Sequence, residues 1–433
     1  MAELNENTLT PGAGGRPYGV LGRVLGHSYT PVIYRELAGL DYRRFEREPD
    51  EVEAFLRGEE WEGVNVTIPY KKVAAQIVDE LTPAAERLGN VNTVTRTADG
   101  RLVGDNTDYY GFETLVRSLG LELAGKRALV LGGHGGAGST CMTVLADLGM
   151  KAIAVTREPD GGDGITYAEL PDYADTALLV NATPVGMFPH CPKAPCTLDA
   201  LPALEAVIDI VYNPARTALM MEAERRGIPT VGGLLMLVAQ AAGAVKRYTG
   251  EDVSMERIRQ VTRTLDATEE SIALIGMPGA GKTRVGAALA EMLGRTHVDA
   301  DDALEERLGT SCEAYILEHG EDAFRREETA MLREVAAKSQ LVISCGGGVV
   351  TRDENYPLLH QNSRIVMLDR PLEELSSAGR PITARDGVER LAAERMERYR
   401  TWADAIVASR DTPAETAQVV AAALKKLEEA DAR

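Results

Sequence analysis

Cysteine is scarce: five residues in a chain of 433, at Cys141, Cys191, Cys196, Cys312 and Cys345, without regular spacing. That pattern excludes a disulfide framework and fits reduced thiols in the cytoplasm. Cys191 and Cys196, with His190 alongside, are too few for a structural metal centre and read as a surface loop. A basic excess is also missing. Lys and Arg number 47 against 66 Asp and Glu, a formal net charge of -19, which argues against a general nucleic-acid binder. Any anionic ligand must be caught by local arginines and lysines rather than by the overall field. Nor is there a long apolar run. The stretch from Gly232 to Val245 is too short to span a bilayer and is interrupted by Gln240. The opening Met-Ala-Glu-Leu-Asn-Glu has neither the basic start nor the apolar centre of a signal peptide. A soluble cytoplasmic protein without nucleic-acid or membrane partners is expected.

What is present is an ordinary globular composition, 44% hydrophobic and 26% charged, at a length that suits about three domains. Strands are expected at Tyr18–Leu21, Gly63–Ile68 and Asn92–Thr95, with helices at Pro31–Leu40 and Val73–Leu81. That alternation predicts an α/β layer with a mostly parallel sheet. From Asp108 a second pattern begins. Arg127–Leu131, a helix over Ala137–Leu148 and Lys151–Thr156 form a βαβ unit, and strands at Leu178–Asn181 and Val207–Ile210 follow. Helices at Leu234–Tyr248 and Val253–Leu265 are expected to return to the first unit. Asp266–Ser271, short and acidic, reads as a linker. A third α/β pattern starts at Ile272–Ile275, with strands at Leu341–Ser344, Arg364–Leu368 and Ala405–Ala408 and a charged amphipathic helix over Ala421–Glu429. The expected domains are therefore a flexible tail (1–16), residues 17–107 with 233–265, residues 108–232, a linker (266–271) and residues 272–433.

Two glycine-rich loops of different design carry the chemistry. Gly133-His-Gly135-Gly136-Ala137-Gly138 follows a strand, opens a helix and has no lysine, which suits a dinucleotide. Arg157, at the end of the next strand, stands where a ribose 2′ group would lie and favours NADP over NAD, with Glu158 beside it as a contrary signal. Gly276-Met-Pro-Gly279-Ala280-Gly281-Lys282-Thr283 ends in Lys-Thr and suits ATP. Its backbone N–H groups would cradle phosphates, Lys282 would reach the β- and γ-phosphates, and the Thr283 hydroxyl would ligate Mg²⁺.

Hydroxyl and amide side chains cluster at the ends of the N-terminal β-runs. They lie in Ser28-Tyr-Thr30-Pro31, Asn65-Val-Thr67-Ile-Pro69-Tyr-Lys71, Gly89-Asn-Val-Asn92-Thr93 and Gly104-Asp-Asn106-Thr107-Asp108. Such groups suit a small polyhydroxylated ligand. With Asn181-Ala-Thr183-Pro-Val-Gly186-Met187, Asp209-Ile-Val-Tyr212-Asn-Pro214 and Gly233-Leu-Leu-Met236-Leu-Val-Ala-Gln240, these blocks resemble shikimate dehydrogenases from about Tyr18 to Thr264. The resemblance implies a Lys71–Asp108 pair at the oxygen that gains or loses a proton. It also implies Ser28 and Thr30 on the substrate carboxylate, and Asn65, Thr67, Asn92, Tyr212 and Gln240 around the ring. NADP(H) would be held by Gly133, Gly135, Gly136 and Ala137, by Thr156, Arg157 and Thr183, and by Gly233 and Met236. Thr30, where a serine is commonest, raises quinate as a second substrate. Thr156 and Ser139 replace an asparagine and a basic residue often found near the cofactor.

The C-terminal part, Ser271 to about Leu424, resembles shikimate kinases. The blocks are Val298-Asp299-Ala-Asp301, Gly320-Glu-Asp-Ala-Phe324-Arg325-Arg-Glu-Glu328, Cys345-Gly346-Gly347-Gly348 and Gly379-Arg380-Pro381-Ile382. The resemblance implies ATP contacts from Gly279, Ala280, Gly281, Lys282, Thr283 and Arg380, with Thr283 and Asp299 toward Mg²⁺. It places Asp301 on the substrate hydroxyls, Arg325 (held by Glu328) and Arg395 on the carboxylate, and Gly346, Gly347 and Gly348 against the ring. Arg398 and Arg400 are alternatives to Arg395, because Glu397 replaces a usual proline. The implied architecture is α/β throughout: a shikimate-dehydrogenase-like substrate domain with a Rossmann NADP-binding domain, then a P-loop kinase domain with a parallel sheet. The implied function is reduction of 3-dehydroshikimate followed by phosphorylation of shikimate. The alternative is a shikimate/quinate dehydrogenase with an inactive, regulatory kinase-like module.

Overall fold

The computed structural model describes residues 15–25, 29–158, 164–375 and 387–431. Ser28 and Arg380 lie outside the described residues. The chain forms two compact units. The first takes in residues up to Pro184, Pro195–Tyr212 and Glu222–Thr264; the second takes in Val185–Ala194, Asn213–Met221 and Leu265 onward. No described helix is long and apolar enough to cross a membrane.

The first unit holds two sheets. One contains β1 (Tyr18–Gly22), β2 (Tyr42–Glu46), β3 (Gly63–Val66), β4 (Glu80–Leu81), β5 (Thr93–Arg96) and β6 (Leu102–Asp105), in the order β2-β1-β3-β5-β6-β4. It is mostly parallel, as expected, with one reversed strand: β5 runs antiparallel to both β3 and β6. Five residues between β5 and β6 are too few for a crossover, so the chain must reverse as a hairpin. Gly100, at φ +88°, supplies the left-handed residue that the reversal needs. A core around Leu21, Trp61, Val64, Val94 and Leu102 lies under this sheet. Arg16, the last residue of the expected tail, is tied to Glu62 at 2.7 Å.

The other sheet contains β7 (Arg127–Leu131), β8 (Lys151–Thr156), β9 (Ile165–Thr166), β10 (Leu178–Asn181), β11 (Ala206–Asp209) and β12 (Thr230–Gly232). The order β12-β11-β10-β7-β8-β9, with every recorded pair parallel, is the doubly wound arrangement of dinucleotide-binding folds. Its central strands read as unbroken apolar runs because both faces are covered. Ala128, Val130, Leu178, Val180 and Ile208 are fully buried.

The sheet of the second unit is parallel throughout: β13 (Ser271–Ile275), β14 (Thr296–Asp299), β15 (Leu341–Ser344), β16 (Ser363–Asp369) and β17 (Ala405–Ala408), in the order β14-β15-β13-β16-β17. Its core runs from Ile272 through Leu289, Ile343 and Val366 to Tyr399 and Val420. Three features depart from the sequence reading. Asp266–Ser271 is not a loop: the Met255–Glu269 helix runs into it and Ser271 already belongs to β13. Glu270 is 5% exposed and its carboxylate accepts from Arg364 at 2.8 Å. Thr296–Asp299 is a strand that periodicity does not reveal, being short, polar and half exposed. Cys191, read as part of a surface loop, is buried.

Candidate active sites

In the first unit, β3 ends at Val66 and the Lys71–Ile77 helix begins five residues later, which sets Lys71 in a first helical turn. Asp108 opens the Asp108–Ser118 helix. Lys71 Nζ lies 2.5 Å from Asp108 Oδ2, with side-chain exposures of 29% and 22%, so both groups remain reachable from solvent. Nearby amides are organised from behind. Asn92 is 3% exposed, and its Oδ1 accepts from Thr107 N at 2.8 Å and Thr93 Oγ1 at 3.0 Å. Thr107 Oγ1 reaches Gln240 Oε1 at 3.4 Å, which links that loop to the Gly233–Thr249 helix. Tyr212 is 43% exposed and meets Tyr29 edge-on at 5.7 Å. Thr30 begins the Thr30–Ala38 helix and Thr67 lies in the turn after β3.

Asn65 departs from the expectation of a direct ring contact. It is 7% exposed, and its Nδ2 donates to Asn92 O at 3.2 Å and Thr93 Oγ1 at 3.0 Å. Its Oδ1 accepts from Tyr34, Tyr42 and Tyr248 at 2.6, 2.8 and 2.9 Å. With both amide hydrogens engaged within the protein, it has none left for a substrate hydroxyl.

The dinucleotide-type loop joins β7 to the Gly136–Asp147 helix, with Gly135 at its N-cap. A Cβ on Gly138 would sit 2.1 Å from Gly132 O, so only glycine lets the helix lie against the strand end. A Cβ on Gly136 would meet nothing within 4 Å, so the helix N-terminus has open space for a phosphate group. Gly133 and Ala137 complete the turn. Thr156 ends β8, Arg157 beside it is exposed, and Met236 is half-buried. Gly233 packs on Ile210, leaving 2.0 Å from a would-be Cβ to Ile210 O. Asn181 and Asp209, to which the sequence motifs assign no role, are both fully buried. Asn181 Nδ2 binds the Asp209 carboxylate at 3.0 Å while its Oδ1 accepts from Thr183 Oγ1 at 2.7 Å. They hold Thr183 at the strand ends, and the loop would fit NADP(H) there.

In the second unit a cavity of about 890 Å³ opens at the ends of β13, β14 and β15. Gly279, Ala280, Gly281, Lys282, Thr283, Asp299, Asp301, Arg325, Gly346, Gly347, Gly348 and Arg395 all line it. Lys282 is 8% exposed and donates to Gly276 O at 2.9 Å and Met277 O at 3.1 Å, which curls the loop around its ammonium. Ser344 carries no signal in the sequence. Its hydroxyl donates to Lys282 O at 3.0 Å from beneath the loop. Arg370 and Arg410 also line the cavity and escape the sequence reading, which places the phosphate-covering cation around Arg380.

Arg325 is 7% exposed; its Nη1 donates to Glu328 Oε2 at 2.9 Å and its Nη2 to Glu321 Oε1 at 3.3 Å. Burial pushes the Glu328 carboxyl up, against the pull of Arg325. Arg395 is 5% exposed and donates through Nη1 to Gly347 O at 3.0 Å. The Nε atoms of both arginines are buried without a partner. Both arginines line the cavity, where an anion would offset their charge. Arg398 instead turns to Val350 O at 2.5 Å and to Asp353, and Arg400 is exposed. Arg395 is thus the arginine of the three that lines the cavity.

Asp299 caps the Ala300–Leu308 helix, accepting from Asp301 N at 2.9 Å. Asp301 opens onto the cavity, where desolvation and then the neighbouring Asp299 raise its carboxyl. Among the described residues no cluster of three metal-ligating side chains exists. Thr283 and Asp299 alone fit a Mg²⁺ that takes its remaining oxygens from phosphates and water.

Comparison with known proteins agrees with both geometries. The family model for the shikimate dehydrogenase substrate binding domain matches residues 20–94, and the shikimate kinase model matches residues 278–428. The shikimate dehydrogenase (NADP(+)) of Bacillus cereus (strain B4264) is 35% identical over 268 residues, covering 56% of this chain and 96% of that protein. The structure of the Thermus thermophilus shikimate 5-dehydrogenase in complex with NADP(H) and shikimate aligns at 31% identity and a TM-score of 0.52, covering 57% of this chain and 99% of that one. A chorismate mutase/shikimate 5-dehydrogenase fusion protein from Clostridium acetobutylicum aligns at 28% identity and a TM-score of 0.55, covering 58% and 97%. The N-terminal part of the chain belongs to the shikimate dehydrogenase family, and it is fused to a C-terminal domain of the shikimate kinase family.

Proposed function

We propose that this chain is a bifunctional enzyme that reduces 3-dehydroshikimate to shikimate with NADPH and then phosphorylates shikimate at its 3-hydroxyl with ATP and Mg²⁺. The observation that carries the pairing is the Arg325–Arg395 couple, two mostly buried arginines that line one cavity with the phosphate loop and suit a carboxylate. A dehydrogenase product bearing one carboxylate and free hydroxyls is the ligand that such a receptor suits. The free thiols support a reducing, cytoplasmic setting.

In the first site, bound NADPH supplies a hydride to the carbonyl carbon. Lys71 gives the proton that the carbonyl oxygen gains, and Asp108 orients the ammonium and accepts from the resulting hydroxyl. In the reverse direction the same pair takes that proton back. Thr30 and, outside the described residues, Ser28 are proposed for the carboxylate, and Thr67, Asn92, Tyr212 and Gln240 for orientation. Arg157 is proposed for the 2′-phosphate.

In the second site, Arg325 and Arg395 hold the carboxylate, and the Gly346–Gly348 backbone lies along the ring. Asp301 accepts the proton from the 3-hydroxyl as its oxygen bonds to the γ-phosphorus and ADP departs. Lys282 bears the charge that grows on the phosphoryl oxygens, and Arg380 is proposed to close over the phosphates. Two separate assays test the reading: shikimate-dependent reduction of NADP⁺, and shikimate-dependent release of ADP from ATP. Reduction without ADP release would leave a dehydrogenase with a regulatory module. Faster turnover of quinate than of shikimate would reassign the substrate.

One consequence follows for the second site. A Cβ on Gly348 would lie 2.0 Å from Arg325 Cζ. Gly348→Ala should displace the guanidinium and raise KM for shikimate about tenfold or more in the ADP assay, with NADP⁺ reduction unchanged.

A further inference from the structure

The three tyrosines around Asn65 come from separate elements. Tyr34 is on the Thr30–Ala38 helix, Tyr42 opens β2, and Tyr248 closes the Gly233–Thr249 helix. Their hydroxyls converge on one amide oxygen at 2.6, 2.8 and 2.9 Å. The rings of Tyr34 and Tyr42 stack at 4.0 Å, and Tyr248 packs on Tyr18 at 5.1 Å. Burial raises all three hydroxyls, so they stay neutral and keep their protons. An amide oxygen has two lone pairs, so three donors exceed its capacity and one hydroxyl must donate into another. The result is a closed, largely buried network of the kind that fixes a unique arrangement.

Both tied helices carry an expected substrate contact elsewhere along their length, β3 leads to two more, and β2 carries none. The first helix begins at Thr30, one turn from Tyr34. The Gly233–Thr249 helix carries Gln240, eight residues or about 12 Å from Tyr248. β3 leads through Thr67 to Lys71. On the far side, Asn65 Nδ2 grips Asn92 O and Thr93 Oγ1, and the Thr93 hydroxyl lies 3.2 Å from that of Thr107, the residue before Asp108.

We infer that Asn65, with Tyr34, Tyr42 and Tyr248, is the positioning hub of the dehydrogenase site, setting the register of three elements rather than touching the substrate. This rests on the dehydrogenase reading. Phenylalanine replacements test it, since they keep the rings and remove only hydroxyls. With either Tyr34→Phe or Tyr248→Phe, two donors still fill both lone pairs, so KM for shikimate should change less than about threefold. In the double variant one lone pair goes unfilled. KM for shikimate should then rise about tenfold, beyond the product of the single effects, with KM for NADP⁺ within about twofold. A double variant with wild-type KM would overturn the hub. So would a parallel rise in KM for both ligands with a lowered Tm, which means general loosening. Each measurement is paired with the wild type: absence of wild-type NADP⁺ reduction by shikimate would defeat the dehydrogenase reading, and the hub with it.

Discussion

Lys71→Ala should lower NADP⁺ reduction by shikimate about a thousandfold while leaving phosphorylation within about twofold. Lys282→Ala should do the reverse, lowering phosphorylation by about 10² to 10³ and sparing the redox reaction. The first substitution removes the group that exchanges a proton with the substrate oxygen. It leaves Asp108 partly exposed to water, and a pair at 29% and 22% exposure contributes little to folding, so unfolding is not expected to cloud the result. The second removes the ammonium that the phosphate loop curls around. Steady-state rates of both reactions on both variants, with far-UV circular dichroism as a check on folding, give the comparison. Loss of both activities from either single change in a folded protein would contradict independent sites.

Arg395→Met should raise KM for shikimate in the kinase reaction about a hundredfold, with KM for ATP nearly unchanged, while Arg398→Met should have little effect. Removing one donor of a buried charge-assisted contact costs about 2–5 kcal/mol. Arg395 lines the cavity, whereas Arg398 is turned to Val350 O and Asp353. If the Arg398 variant lost shikimate affinity and the Arg395 variant kept it, the carboxylate receptor would have to be redrawn.

The legible parts of this chain are those with strong local signals. β7, β8, β10, β15 and β17 follow from short apolar runs, and the two glycine loops from steric demands that no other residue meets. β14 is not legible because a short, half-exposed polar strand has no period to detect. Its importance lies in placing Asp299 at a helix N-cap. The antiparallel turn of β5 onto β6 depends on recognising Asp99-Gly100 as a reversal rather than a loop between crossovers. The linker fails as a reading because acidity at Asp266–Glu270 signals solvent only when nothing basic lies nearby. In the fold, Arg216 and Arg364 meet Glu270 and hold its carboxyl below the usual range despite burial.

Within the sites, residue types are legible but the number of roles each can serve is not. Asn65 looks like a ligand because amides at strand ends often are. Only the fold shows that its hydrogens are spent on Asn92 O and Thr93 Oγ1 while Tyr34, Tyr42 and Tyr248 converge on its oxygen. Arg395, Arg398 and Arg400 are indistinguishable in sequence at a few residues' spacing on one helix. Rotation about that helix sends one into the cavity, one to Asp353 and one to solvent.

A single coupled reaction tests the central claim most directly. Purified protein is supplied with 3-dehydroshikimate, NADPH, ATP and Mg²⁺, and products are followed by mass spectrometry. Two working sites predict oxidation of NADPH together with accumulation of shikimate 3-phosphate and ADP. Accumulation of unphosphorylated shikimate, or no oxidation of NADPH at all, would contradict the account.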